Sequence, residues 1–483
     1  MSKPDSTLPY ATPPKAHDPY ASLRYPDFRR SFVGSVFSLL GMQMAGVASG
    51  WELYALTDSA VALGLVGLVQ VVPIILLALP AGHVIDRVNR KALILVITAV
   101  VVLSYIAMGI SSLQSAGNAA GDFTLAGNRV LAWIAGLFGE THSHFTSRHV
   151  PVMFCLLLLN GMARSFNQPA KQSVMPMLVP PESFSNAVTW NSSLFEVSNM
   201  VGPTLAGLTI AAFALKAPNS PWTYAALYFT NAVAQFVQLL NFASIRLTQT
   251  PRAREPVTLR SLFAGVRFVH ADKIILSTLT LDMFAVLLGG ATALLPVFAR
   301  DILQVGPVGL GLLRAAPSLG AVTMAMILAH LPPMQRAGRN LLLAVAGFGV
   351  ATIIFGLSHY FWLSLLALYC TGVFDNVSVV VRHSLVQLRT PDSMRGRVNA
   401  VNSVFISTSN ELGAFESGTT AAIGIRIFGS IAGPMIAVAA GGVGTLLVLG
   451  AVSMLWPQLR QVKRLAVNEE ETSTKEEAEA PAA

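Results

Sequence analysis

Apolar stretches long enough to cross a bilayer recur along nearly the whole chain, and this feature leaves few folds open. Segments such as LVQVVPIILLALPAGHVI (68–85) and LLLAVAGFGVATIIFGL (341–357) approach the roughly 20 apolar residues that a membrane helix needs. Charged residues make up 12% of the 483 and hydrophobic ones 53%, whereas soluble domains carry about 25% charge. A soluble protein of this composition would aggregate, so the pattern predicts an all-α integral membrane protein. Spans are expected near 31–56, 61–85, 92–114, 150–172, 186–215, 222–245, 273–299, 306–331, 339–357, 360–382, 398–423 and 428–456. Residues 1–30 are polar and Pro-rich and lack the apolar core of a signal peptide. Cys155 and Cys370 both fall inside predicted spans, which leaves no disulfide framework or zinc site.

An even number of spans puts both termini on one side, and the basic residues say which. Arg87, Arg90, Lys91, Arg246, Arg252, Arg254, Arg260, Arg267, Arg336, Arg339, Arg389, Arg395 and Arg397 share that side. The opposite loops carry only Arg129, Arg148, Lys216, Arg300 and Arg426. This asymmetry predicts cytoplasmic termini. It also accounts for most of the net charge of +8 without a nucleic-acid partner. The expected organisation is a cytoplasmic segment 1–30, a six-helix bundle 31–245 with an outside loop 115–149, a cytoplasmic linker 246–271, a second six-helix bundle 272–457 and an acidic disordered tail 458–483.

The halves read as repeats. PESFSNAV from Pro181 matches PDSMRGRV from Pro391, and VALGL from Val61 matches VGLGL from Val308. The spacings of the two pairs differ by about the length of loop 115–149, which has no counterpart in the second half. That loop holds VLAWIAGLF, apolar enough for a short interfacial helix, and His142, His144 and His149, read as a solvated group rather than a metal site.

Between spans two and three stands Gly82-His-Val-Ile-Asp86-Arg87-Val-Asn89-Arg90-Lys91. It resembles the G-x-x-x-D-R-x-G-R-K loop of the major facilitator superfamily. Asn89 replaces the second Gly and is expected to supply the same left-handed turn. In that superfamily the acid contacts the start of span eleven and holds one conformational state. Arg395 and Arg397 stand at that start here. The second half keeps only PPMQRAGR, without the acid. In span five, Gly202-Pro203-Thr-Leu-Ala206-Gly207 resembles the G-P-x-x-G-G motif of drug:proton antiporters. Such a kink also serves plain packing in any membrane helix.

TDSAVALGLVGLVQVVP, FNQPAKQSVMPMLVPPE, NSSLFEVSNMVGPTLAG and RTPDSMRGRVNAVNSVF extend the likeness over both halves. They resemble the superfamily's efflux-permease branch, which takes in the enterobactin exporter and macrolide efflux proteins. Glu196 and Asn199 depart from that branch, so the resemblance does not name a substrate. It implies a monomeric transporter of two six-helix pseudo-repeats in the plasma (inner) membrane. Such a protein exports a small amphipathic molecule, a siderophore or a drug, in exchange for protons.

Charges inside a bilayer are costly and usually functional. From a rise of about 1.5 Å per residue, Asp282, Glu196 and Glu411 fall near the midplane, Asp375 and Arg164 in the inner half, and Glu52 and Glu416 towards the outside. Proton coupling is therefore expected of Asp282 first, since no basic residue lies near it on its own helix, then Glu411 and Glu196. Asp375 is a further candidate, Arg164 a pairing partner, and static buried ion pairs are the alternative for each. Gln43, Asn160, Asn231 and Phe195 suggest a cavity for a partly apolar solute. A lysophospholipid flippase or nutrient importer of the same fold is the nearest alternative function. A membrane enzyme or receptor is the other class, but no H-E-x-x-H, no nucleotide loop and no large soluble domain is present, and no cofactor is expected.

Overall fold

The computed structural model describes residues 18–114, 121–140, 144–217, 220–247, 259–331 and 334–462. Among them there is no strand. The long helices are α1 (Pro26–Thr57), α2 (Ala60–Arg87), α3 (Arg90–Leu113), then a shorter α4 (Asp122–Leu137), α5 (His149–Val174), α6 (Pro181–Lys216) and α7 (Trp222–Ala243). After α8 (Leu259–Ala271) comes α9 (Lys273–Gly289), prolonged by a one-turn α10 (Leu295–Val297) and a π-helical turn at Phe298–Ile302. Then follow α11 (Gly306–His330), α12 (Ala337–Leu357), α13 (Phe361–Arg389), α14 (Asp392–Phe428), α15 (Ala432–Leu455) and the short α16 (Gln458–Gln461).

Local chemistry sets the boundaries. The Ser59 side chain accepts from Ala62 N–H to start α2, and the Asp272 carboxylate accepts from Ile274 and Ile275 N–H to start α9. Gly429, at φ 89°, ends α14 in the left-handed region that glycine favours. Among the described residues, ten segments are long and apolar enough to cross a bilayer. The remaining long helices, α7 and α14, stand where spans six and eleven were expected. Polar residues (Asn231, Gln235 and Gln238 in α7, Asn410, Glu411 and Glu416 in α14) lower their apolarity.

α1, α2, α3, α5, α6 and α7 pack on one another, as do α9 and α11–α15. The two groups meet along α6 against α11 and along α2 against α14. α1 begins and α15 ends on what we call the termini face; the other is the far face. Towards the far face the groups approach backbone to backbone. A methyl placed on Gly311 would lie 2.6 Å from the Pro203 carbonyl oxygen, and one on Gly418 2.6 Å from that of Ala60.

The chain folds further at both ends than the sequence pattern suggests. Ahead of α1, the Ser22 hydroxyl donates to Asn186 Oδ1 at 2.6 Å, and Trp190 Nε1 donates to the Pro19 carbonyl at 3.0 Å. Residues 458–462 do not belong to a disordered tail: Leu459 is buried, and Gly338 N–H donates to the Val462 carbonyl at 3.2 Å. The acidic residues of the tail, within 463–483, lie outside the described residues, as does the linker stretch 248–258. Within loop 115–149, α4 buries Asn128 and Ala135 and turns Phe123, Val130, Trp133 and Leu137 outward along one face.

Candidate functional site

Along the seam between the two groups stand four of the five proton-coupling candidates singled out in the sequence, Arg164, Glu196, Asp375 and Glu411. α6 carries its Gly202–Pro203 pair there, and Pro203 has no N–H to continue the helix ladder. Gly202 lets α1 in close: a methyl on it would meet Gln43 Cβ at 2.6 Å. Gly207 does the same for α11, where a methyl would run into the Pro307 carbonyl. The antiporter-like motif thus packs α6 closely on α1 within its group and on α11 across the seam.

Halfway along the helices, Arg164 of α5 reaches Glu411 of α14, with Nη1 2.9 Å from Oε1. Arg314 of α11 stands close enough to Glu411 to feel its charge and donates to the Gly46 carbonyl of α1 at 3.3 Å. One helical turn further along α11, Ser318 stands near the carboxylate of Glu196 from α6. Asp375, midway along α13, lies within electrostatic range of Glu196. Among the described residues no arginine or lysine pairs with either of these acids.

Asp282 differs from what its own helix suggests. The Arg382 guanidinium of α13 forms an ion pair with it, with side-chain exposures of 3% for Arg382 and 10% for Asp282. The lack of basic neighbours along α9 gave no hint of a cation on the helix beside it. A cavity of about 10 Å³, room for one water, lies against Asp282, Asp375 and Ser378. Two of the five sequence candidates thus form the Arg164–Glu411 pair, Glu196 and Asp375 stand within electrostatic range of each other, and Asp282 stands in a buried pair.

The loop motif divides. Gly82, Asp86 and Arg87 end α2, and Arg395 opens α14; their side chains lie outside those described. Asn89 does not take the left-handed conformation. At φ −65° it is extended, and its side chain accepts from Ala92 N–H at 3.2 Å to cap α3, a role that needs no positive φ. Lys91 Nζ donates to the carbonyls of Ala243 and Ile245 at 2.7 and 2.6 Å, so a cation sits on the exposed carbonyls at the end of α7. Arg90 donates to the Ser173 carbonyl at 3.4 Å near the end of α5, and Arg397 is exposed.

The far face carries a clamp that the sequence pattern does not announce. Tyr54 and Asp58 end α1, and Arg300 and Asp301 end the α9–α10 segment. Arg300 pairs with Asp58, lies 4.7 Å over the Tyr54 ring and holds Asp301 at 3.1 Å, while the Tyr54 hydroxyl donates to Asp301. Beside the clamp, Glu140 accepts from the N–H groups of Ala60 and Val61 at 2.8 and 3.2 Å and from the Ser59 hydroxyl. Burial pushes the Glu140 carboxyl up from the usual carboxylate range, and the bonds from Ser59, Val61 and Ala60 pull it back. Phe138 packs edge-on against Phe415 of α14, with ring centroids 6.1 Å apart.

His149 is no solvated loop histidine. It is fully buried at the start of α5, with Nδ1 2.9 Å from Ser111 Oγ and Nε2 3.3 Å from Glu52. Glu52 also accepts from Ser112 at 2.6 Å and Tyr228 at 2.7 Å, so four helices share one buried carboxylate. His142 lies outside the described residues, and His144 is exposed.

Residues 17–119 and 123–479 match the family model described as transmembrane secretion effector. The chain belongs to this family of the major facilitator superfamily. It is a multi-pass membrane transporter. It is similar to the enterobactin exporter EntS of Escherichia coli O1:K1, with 24% identity over 431 residues, 89% of this chain and 92% of the exporter. The same figures hold for the EntS of Shigella boydii serotype 18. Among solved structures, a bacterial homologue of the human lysosomal transporter Spinster superposes with a TM-score of 0.64 at 15% identity, covering 93% of this chain and 99% of that one. The nucleoside transporter NupG gives 0.59 at 11% identity, covering 89% and 99%.

Proposed function

We propose that this transporter is a proton-coupled exporter of a small amphipathic organic molecule, siderophore-like or drug-like, working by alternating access in the plasma (inner) membrane. Two six-helix pseudo-repeats, twelve spans in all, rock about the seam, and the termini face is cytoplasmic. The observation that carries this reading is that Glu196 of α6 and Asp375 of α13 stand within electrostatic range of each other. One acid belongs to each group, and no cation compensates them among the described residues. Like charges repel strongly in a low dielectric, so a proton on either one changes how the two groups hold each other. Proton binding and seam opening then share one free energy, which is what coupling requires. The similarity to enterobactin exporters supports export over import. A flippase or importer of the same fold remains the competing reading.

Metabolite profiles of a deletion strain and an overexpressing strain test the direction. The exporter reading expects one amphipathic compound to rise in the overexpresser's medium and to fall when a protonophore is added. A compound that instead accumulates inside the cells identifies an importer.

Topology gives a second expectation. Cysteines introduced within 118–147 are expected to react with an impermeant maleimide added from outside, and those within 252–262 only after permeabilisation. The reverse pattern refutes cytoplasmic termini.

Asp86→Asn is expected to slow transport with expression nearly unchanged. A carboxylate against a helix N-terminus contributes about 0.3–1 kcal/mol, up to ~2 when partly buried, enough to shift a two-state balance several-fold. Unaltered kinetics in this variant count against a gating role.

A further inference from the structure

We infer that the basic side of the seam, Arg164 with Arg314, is built to hold a carboxylate of the transported molecule. Calling that ligand the cargo rests on the exporter reading above; the site itself rests on charge and geometry. Arg164 comes from α5 and Arg314 from α11, one from each group; Arg164 contacts Glu411 of α14, and Arg314 lies within electrostatic range of it. Arg164 makes the ion pair at 2.9 Å. Among the described residues Arg314 makes none: its bond is to a neutral acceptor, the Gly46 carbonyl at 3.3 Å. A guanidinium offers five N–H donors, so most of those on Arg314 are unused. Two cations and one carboxylate leave a positive charge uncompensated midway along helices that cross the membrane, where an unmatched charge is costly and marks a ligand path.

The group that completes this site is identified by what it already holds. Glu411 is a carboxylate seated on one guanidinium and within electrostatic range of a second. The planar fork of arginine takes a carboxylate through two parallel N–H bonds, a match that a point-like ammonium lacks. The site is reachable, since the Arg164 side chain is 42% exposed and that of Glu411 16%. A ligand carboxylate joining Arg164 to Arg314 spans the two groups, so its arrival and departure change what holds the seam. The acids Glu196 and Asp375 lie beyond Ser318, a turn further along α11, and confine the anionic end of the ligand to the Arg314 side.

The test uses the purified full chain in detergent and reads its melting temperature by tryptophan fluorescence. The probes are naphthalene-2-carboxylate, its neutral methyl ester and 2-naphthylmethylammonium, each titrated into the millimolar range. A ligand that binds the folded state raises the melting temperature in step with its concentration. The carboxylate is expected to do so, and the ester and the ammonium are not. Glu411→Gln removes the resident carboxylate and is expected to tighten the apparent affinity for the naphthoate by on the order of tenfold. Arg314→Gln is expected to erase the shift and Arg314→Lys to keep part of it. If Arg314→Gln does not fold, the wild-type probe series and Glu411→Gln decide the matter alone. The inference is overturned if the ester or the ammonium matches the naphthoate, if the naphthoate gives no shift, or if Glu411→Gln weakens it. No gradient enters this assay, so failure here removes the carboxylate class and leaves the exporter reading standing. Loss of gradient-driven export with the naphthoate shift intact does the reverse.

Discussion

Asp375→Asn is expected to abolish export driven by an imposed pH gradient, down to the level of liposomes without protein, while substrate exchange at equal pH continues. Exchange moves substrate across the membrane without releasing the coupling proton, so it needs the seam to open but not the proton to leave. Glu196→Gln is expected to behave alike, because removing either acid removes the repulsion that a proton relieves. Both variants keep the size and hydrogen-bonding ability of the side chain, so folding is little disturbed. Paired flux measurements in proteoliposomes, with and without a gradient, check this. Undiminished gradient-driven export in both variants places the proton route elsewhere.

Arg382→Met is expected to destabilise the protein by about 3–5 kcal/mol, because it leaves Asp282 as a buried carboxylate with no partner. The double variant Asp282→Leu with Arg382→Met is expected to recover most of that loss, since an apolar pair of similar volume avoids the desolvation of both ions. Thermal melts of the single and double variants measure the difference. The same double variant separates two roles for Asp282. Gradient-driven export that survives in it assigns the pair to architecture. Export that fails in a well-folded double variant returns Asp282 to the proton route.

The helices were legible in the sequence because bilayer thickness imposes a length on each apolar run, and that length survives any detail of packing. The seam was partly legible too. Gly202, Pro203 and Gly207 announce close approach wherever they stand, and they do meet α1 and α11. What one dimension hides is which helix stands beside which. Asp282 looks isolated along α9, yet its cation comes from α13, far along the chain. Arg164 was expected to pair with one of the buried acids, but only packing shows that the acid is Glu411. His149 follows the polar ETHSHF and reads as solvated, but the first turn of α5 faces inward against Glu52. The far-face clamp drew on residues that look like ordinary loop charges, Asp58 and Arg300, because loop ends gain meaning only when two loops are brought together. Asn89 shows a different limit: asparagine suits both a left-handed turn and a helix cap, and the chain uses the cap.

Coupling of transport to a proton gradient is the central claim, and reconstitution tests it most directly. Let the compound that follows overexpression in the medium be supplied to proteoliposomes holding only this protein, with an acid interior and a dye reporting internal pH. The compound is expected to accumulate inside while the interior alkalises, to stop on adding a protonophore and to be indifferent to ATP. Accumulation that persists after the gradient is collapsed, or that appears only with ATP, contradicts the account.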